Sequence, residues 1–330
     1  MDTFRQDELV LSAPASTARA ELDSDPIVRA SVVPAPRPRI LRPALLFLAT
    51  CLTTTLVQGF WPGLSGFTRA SQLASPGEAL LVGLAALLAH GLPFSVPLMV
   101  ILMSHELGHF IQARRYGVYC SLPHFIPIPL PPLGTMGAVI AMDPRVPNRK
   151  ALFDIGAGGP LAGLVPTMIF LYVGISWSSY GPIIPTAERF GDPPLFRWIA
   201  EWIHGPAPIG YEIYAYPMAF AGWAGLLLTT INLIPLGQLD GGHVLYALLG
   251  RRANRVAHLL FVVLIVMMIV YWKYLFSYTL LIIVLALMRP THPPTAHDDL
   301  PLGPLRAVLA CLILAFIPIG FTPTPFIMPK

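Results

Sequence analysis

Long apolar runs, broken by short polar ones, dominate this chain. A bilayer core takes about 20 consecutive apolar residues to cross as a helix. Read against that length, the sequence predicts about seven spans, at 43–61, 96–117, 152–177, 216–235, 256–272, 275–288 and 305–321, the sixth of them short. A further apolar stretch, 79–90, runs for only about a dozen residues and is too short to cross alone. It reads as a re-entrant or interfacial helix. The pattern changes after the proline run "PIPLPPLG", where "GAVIAM" at 137–142 is rich in strand-compatible residues and predicts a short extended segment. The expected class is an all-α polytopic membrane protein with about seven transmembrane helices, a re-entrant helix and a short β-type, membrane-associated segment.

The polar positions orient these spans. Arg37, Arg39 and Arg42 precede the first, Arg114 and Arg115 close the second, and Arg145, Arg149 and Lys150 precede the third. Arg251, Arg252 and Arg255 follow the fourth. Lys and Arg gather at cytoplasmic loops, so these clusters are placed inside. The loop 178–215, with Glu188, Asp192, Glu201 and Glu212, is placed outside. Seven crossings then leave the C-terminus outside. Residues 1–40 mix charged, small and proline residues without an apolar core segment; they read as a disordered cytoplasmic tail with no signal peptide. A domain at 41–321 follows, with 96–117, 152–177 and 216–250 as its core and 322–330 as a short tail.

Composition supports the membrane class. Hydrophobic residues make up 55% of the chain and charged ones 12%, against about 25% charged in a soluble domain. A net charge of +4 therefore reports membrane orientation rather than nucleic-acid binding. Cys51, Cys120 and Cys311 are widely spaced and form no CxxC pair, which argues against a disulfide framework or a cysteine zinc site. No internal repeat is visible.

Two places break the apolar pattern at a cost. In "PLMVILMSHELGHFIQARRYG", His105, Glu106 and His109 sit within a predicted span, where a charged group costs roughly 2.5–3.5 kcal/mol on insertion scales. The pattern H-E-x-x-H places two imidazoles one helical turn apart on one face, so both reach a single ion with the glutamate beside it. A catalytic zinc site takes three protein ligands and a water, so a third ligand is required. "TTINLIPLGQLDGGHVLYALLG" at 229–250 offers one in Asp240, after Asn232 and Pro235. Alone, Asp240 reads equally as a cap or turn residue; beside the two histidines it is the candidate ligand. His243 reads either as a supporting neighbour of that site or as a helix-start histidine facing the cytoplasm. His90, His124, His258, His292 and His297 read as loop or interface residues. Asp154 reads either as orienting one of the histidines or, preferably, as capping the third span, and Gly158, Gly159 and Gly163 are expected to let helices approach closely.

"HELGH" together with "NLIPLGQLDGG" resembles the site-2 protease family of intramembrane zinc metalloproteases, and "GAGGPLAG" at 156–163 is similar to that family's glycine-rich motif. The stretch "GTMGAVIAMDPRVPNRKALFDIGAGGPLAG" is most similar to the bacterial and chloroplast-type branch. The resemblance implies one zinc ion held by His105, His109 and Asp240, with Glu106 as catalytic base and Asn232 against the oxyanion or the extended substrate. It also implies transmembrane protein substrates, a lipid environment and, by analogy, a bacterial inner membrane with the site toward the cytoplasm. The competing class is a transmembrane metal-ion transporter or metal-binding membrane protein, in which buried His and Asp line an ion path. Transporters commonly show paired broken helices in matching halves, and these two motifs are unlike each other.

Overall fold

The computed structural model describes residues 40–186, 189–288 and 290–327. Apart from Ile40, the segment expected to be a disordered tail lies outside them. The described chain is mostly helical. Four helices are long and apolar enough to cross a membrane: α1 (Leu41–Ala70), α2 (Pro76–Arg115), α3 (Arg149–Ser176) and a later one at Arg252–Val270. The remaining expected spans are shorter helices.

The stretch expected to re-enter the membrane is instead the first half of α2, one unbroken helix of 40 residues. It starts at a capping box, in which the Ser75 side chain meets the Glu78 backbone and the Glu78 carboxylate returns to the Ser75 N–H. Pro93 and Pro97 lie inside it without ending it. At 1.5 Å per residue it runs for about 60 Å, twice the thickness of a hydrocarbon core. What holds this length together is α1. A Cβ added at Gly59 would fall 2.2 Å from the Leu87 carbonyl oxygen, and one at Gly91 would fall 2.4 Å from that of Thr55. The two backbones therefore meet along most of α1, as small residues allow in membranes.

Between α2 and α3 the chain forms an antiparallel hairpin, β1 (His124–Pro127) with β2 (Thr135–Val139), bulged between Phe125 and Pro127. The extended segment expected at 137–142 thus forms in part as β2, and an isolated bridge from Cys120 to Met142 prolongs the pairing. The proline loop is tied to α1: Thr53 Oγ1 donates to Gly134 O (2.7 Å) and Gln58 Nε2 donates to Pro132 O (3.0 Å).

Asn148, not Asp154, caps α3, its side chain accepting from the Ala151 N–H at 3.0 Å. Asp154 instead takes two hydrogen bonds from Arg306, 2.9 and 2.8 Å, and a third from the Tyr116 hydroxyl. A carboxylate already one turn inside the helix is too late to meet the free N–H groups, whereas a distant guanidinium matches its two oxygens.

After α3 come β3 (Ser179–Pro182), β4 (Arg189–Phe190), α4 (Pro194–His204) and β5 (Tyr211–Tyr214), with β3 paired to β5. The 16-residue α5 (Pro217–Asn232) follows. It is shorter than a usual span, yet every residue from Ala219 to Leu227 is buried, so protein rather than lipid surrounds it. Then come α6 (Asp240–Leu249), α7 (Arg252–Val270), α8 (Thr279–Met288), α9 (Pro304–Ala315) and β6 (Phe326–Ile327). β6 pairs with β4, so the end of the described chain is pinned to the loop between α3 and α5 rather than hanging as a tail.

Candidate metal centre

Three helices and one tight turn build the site. α2 carries His105 and Glu106, both buried, and presents His109 one turn later. α5 ends at Asn232, and residues 233–239 fold the chain back so that α6 begins at Asp240. The two glycines that follow make this return feasible. A Cβ at Gly241 would lie 1.8 Å from the Leu233 carbonyl oxygen, and one at Gly242 2.3 Å from that of Gly237. The sequence "DGG" thus lets the start of α6 press against the chain that leads into it.

This fold brings the predicted residues together. His105 Nε2 lies 3.2 Å from Asp240 Oδ2, His109 Nε2 3.3 Å from Asp240 Oδ1, and the two Nε2 atoms 3.2 Å apart. Donors to an ion held tetrahedrally at about 2.0–2.1 Å lie about 3.3 Å from one another, so the three spacings fit one zinc. The chemistry of the donors agrees. His109 Nδ1 donates to the Ile155 carbonyl at 2.8 Å, which leaves Nε2 with a bare lone pair. Asp240 Oδ2 is buried with no hydrogen-bond partner among the described residues; such a group is costly unless something else, here a cation, satisfies it. Among the described residues, His105, His109 and Asp240 form the one cluster of His, Cys, Asp or Glu able to hold a metal. Asn232 also arrives at the site, its Nδ2 3.4 Å from His105 Nε2.

Space adjoins the cluster on the side of the hairpin. A cavity of about 310 Å³ is lined by Glu106, the three candidate ligands, Asn232 and His243, and also by residues of β2 and its continuation to Met142. A smaller one of about 80 Å³ shares His105, Glu106 and Asn232 and reaches Met136, Gly137 and Ala138.

The glycine motif has a sharper role than close helix packing alone. A Cβ at Gly159 would fall 2.0 Å from His109 Nε2, and one at Gly163 would fall 3.0 Å from His105 Cβ. Positions 159 and 163 repeat the four-residue spacing of the two histidines on α2, so each ring faces a missing side chain. Gly158 meets Gln112 and Gly108, as expected of a packing glycine. Gly156, which sequence reasoning passed over, leaves room for the Cβ of His243 at 2.7 Å. His292, read as a loop or interface residue, is buried against His243; nothing local in the sequence marks it.

Residues 93–271 match the profile of peptidase family M50. The chain belongs to that family. Its zinc motif, and the zinc ion that membership in M50 implies, agree with the geometry above. The chain is similar to "Probable zinc metalloprotease EGY2, chloroplastic" of Arabidopsis thaliana, 34% identical over 169 residues that make up 50% of this chain and 30% of the relative. It is also similar to "Probable zinc metalloprotease EGY1, chloroplastic" of Oryza sativa subsp. japonica, 30% identical over 197 residues, 57% of this chain and 33% of the relative. The chain spans about a third of the length of these curated M50 relatives. No solved structure matches it. The relatives are named as chloroplast proteins, so their names do not support the bacterial inner membrane expected from the sequence.

Proposed function

We propose that this chain is an intramembrane zinc endopeptidase that hydrolyses peptide bonds of membrane-spanning substrates. The observation that carries the reading is the meeting of His105, His109 and Asp240 at tetrahedral spacing beside a buried glutamate. A bound zinc ion would supply a Lewis acid for the scissile carbonyl and a water acidified toward neutral pH. Glu106 takes the proton of the attacking water and passes it to the leaving amine nitrogen. Asn232, which lines both cavities, donates its amide hydrogen to the oxyanion or to the substrate backbone.

A transmembrane helix must unwind before it can be cut, since its carbonyls are bonded to amides four residues on. Unpaired backbone in lipid then needs new partners. β2 pairs with β1 on one edge only among the described residues, and its residues line both cavities, so an extended substrate can add to its free edge. Irregular backbone here is tolerated because it borders a cavity rather than lipid.

The topology proposed has seven crossings, with α1 and α2 as an outward-pointing helical hairpin, α5 as a protein-enclosed crossing, and the basic clusters and metal centre toward the cytoplasm. Pairing of β6 with β4 supports placing the C-terminus with the acidic loop outside. The motif resemblance supports a bacterial inner membrane. Membership in M50 does not favour the transporter reading.

The test compares membrane fragments in cells carrying the native chain with those in cells carrying Glu106→Gln, with zinc measured on both purified proteins. Fragments of single-span proteins should disappear in the variant while its zinc content holds. Identical fragment patterns would overturn the endopeptidase reading.

A further inference from the structure

A second histidine pair has one member, His243, in the wall of the same cavity. His243, on α6 one turn after Asp240, lines the cavity wall. Its Nδ1 lies 2.7 Å from Nε2 of His292, in the segment that links α8 to α9. The other nitrogen of His292, Nδ1, lies 2.6 Å from the Pro293 carbonyl oxygen. The backbone of His292 is itself clamped by Asn254, whose Oδ1 accepts from the His292 N–H at 2.9 Å and whose Nδ2 donates to the His292 carbonyl at 3.2 Å.

These contacts order the hydrogens. A carbonyl oxygen only accepts, so His292 Nδ1 carries its hydrogen. A neutral imidazole has one N–H, so His292 Nε2 accepts from Nδ1–H of His243. Neither ring joins an ion pair among the described residues, which is the condition under which buried imidazoles stay neutral. His243 is then left with a bare lone pair at Nε2. That atom makes no hydrogen bond to the described residues, although the ring borders the cavity that holds Glu106 and Asp240.

We propose that His243 is a substrate-positioning residue whose Nε2 accepts a backbone N–H from the extended substrate peptide, with His292 fixing the tautomer that makes it an acceptor. The proposal rests on the endopeptidase reading for the identity of the ligand, an extended peptide. It differs from the roles of His105 and His109, since His243 acts on the peptide and not on the ion. The strand edge and His243, which line one cavity, would then both hold the chain.

Binding can be read without cleavage. The probe is a fluorescein-labelled single-span peptide with a Gly-Pro helix break, titrated into zinc-loaded Glu106→Gln protein in detergent. Adding His243→Phe should weaken binding about tenfold, the cost of about one lost buried hydrogen bond, with one zinc per chain retained. Adding His243→Gln should restore most of the affinity, because its carboxamide reaches the place of Nε2; His243→Asn, whose carboxamide falls at the place of Nδ1, should not. His292→Gln, which still accepts from His243 Nδ1–H, should bind as Glu106→Gln does, and His292→Leu should weaken binding. Equal affinity for the Phe and native residues, equal effects of Gln and Asn, or loss of zinc with His243→Phe would each overturn the proposal. If the chain with Glu106 intact cleaves nothing while these binding differences hold, the endopeptidase reading falls and His243 remains the acceptor for a bound peptide.

Discussion

Substituting Gly159 by alanine adds one methyl group on α3 and tests the metal centre from outside it. That Cβ would lie 2.0 Å from His109 Nε2, 2.4 Å from its Cδ2 and 2.5 Å from its Cε1, where ordinary contact begins at 3.4 Å. The ring must therefore retreat by about 1.4 Å, or α3 must move away from α2 by a similar amount. A metal site tolerates displacements of about 0.2 Å in its ligand distances, so His109 is lost as a ligand. Its 2.8 Å bond to Ile155 O, which sets the tautomer, breaks with it. Changing a group that only orients a ligand costs about 10–100-fold in metal affinity. Displacing the ligand itself should cost at least about 100-fold, near 2.7 kcal/mol. The assay is competition between the purified protein and a calibrated zinc chelator, with zinc per chain counted by atomic emission. Gly77→Ala is the control: it lies in the first turn of the helical α2, and an added Cβ there meets nothing within 4 Å. The control should bind zinc as the native chain does and gain a few tenths of a kcal/mol at most in helix stability. Native zinc affinity in Gly159→Ala would refute the role assigned to this glycine and, with it, the placement of His109.

Arg306→Met removes the paired hydrogen bonds to Asp154 that tie α9 to α3; since the pair is partly exposed, at 37% and 20% of side-chain surface, the loss should be about 1–2 kcal/mol, read as a lower thermal midpoint, and an unchanged midpoint would show that the pair contributes nothing. Asn232→Ala and a proline scan across 137–142 should each slow cleavage of an added substrate by about tenfold or more with zinc retained, and wild-type rates throughout would remove both the amide donor and the strand edge from the mechanism.

The candidate metal cluster was legible because ionisable residues inside apolar runs are conspicuous. His105, Glu106 and His109 carry helical spacing in five letters, and Asp240 stands out against the leucines of its neighbourhood. What the sequence hid was set by partners far along the chain. The stretch 79–90 looks short because its apolar run covers only about a dozen residues, yet Gly91 faces Thr55 and the helix runs on under cover of α1. Asp154 looks like a cap from its place near a helix start, but its partner Arg306 is 152 residues away. The segment at 216–235 is apolar enough to be read as a lipid-facing span. Its helix is only 16 residues long because neighbouring helices, not lipid, enclose it. His292 has no periodic surroundings at all, and its meeting with His243 depends on the packing of the α8–α9 segment against α6.

In the proposed site two imidazoles and one carboxylate share a single zinc ion. Zinc K-edge X-ray absorption on purified Glu106→Gln protein tests it most directly, because that variant keeps all three ligands. The expected result is one zinc per chain with only nitrogen and oxygen neighbours at about 2.0–2.1 Å and an imidazole signature that weakens in His109→Ala. Zinc bound through sulfur at about 2.3 Å, or a spectrum indifferent to both His109→Ala and Asp240→Ala, would contradict it.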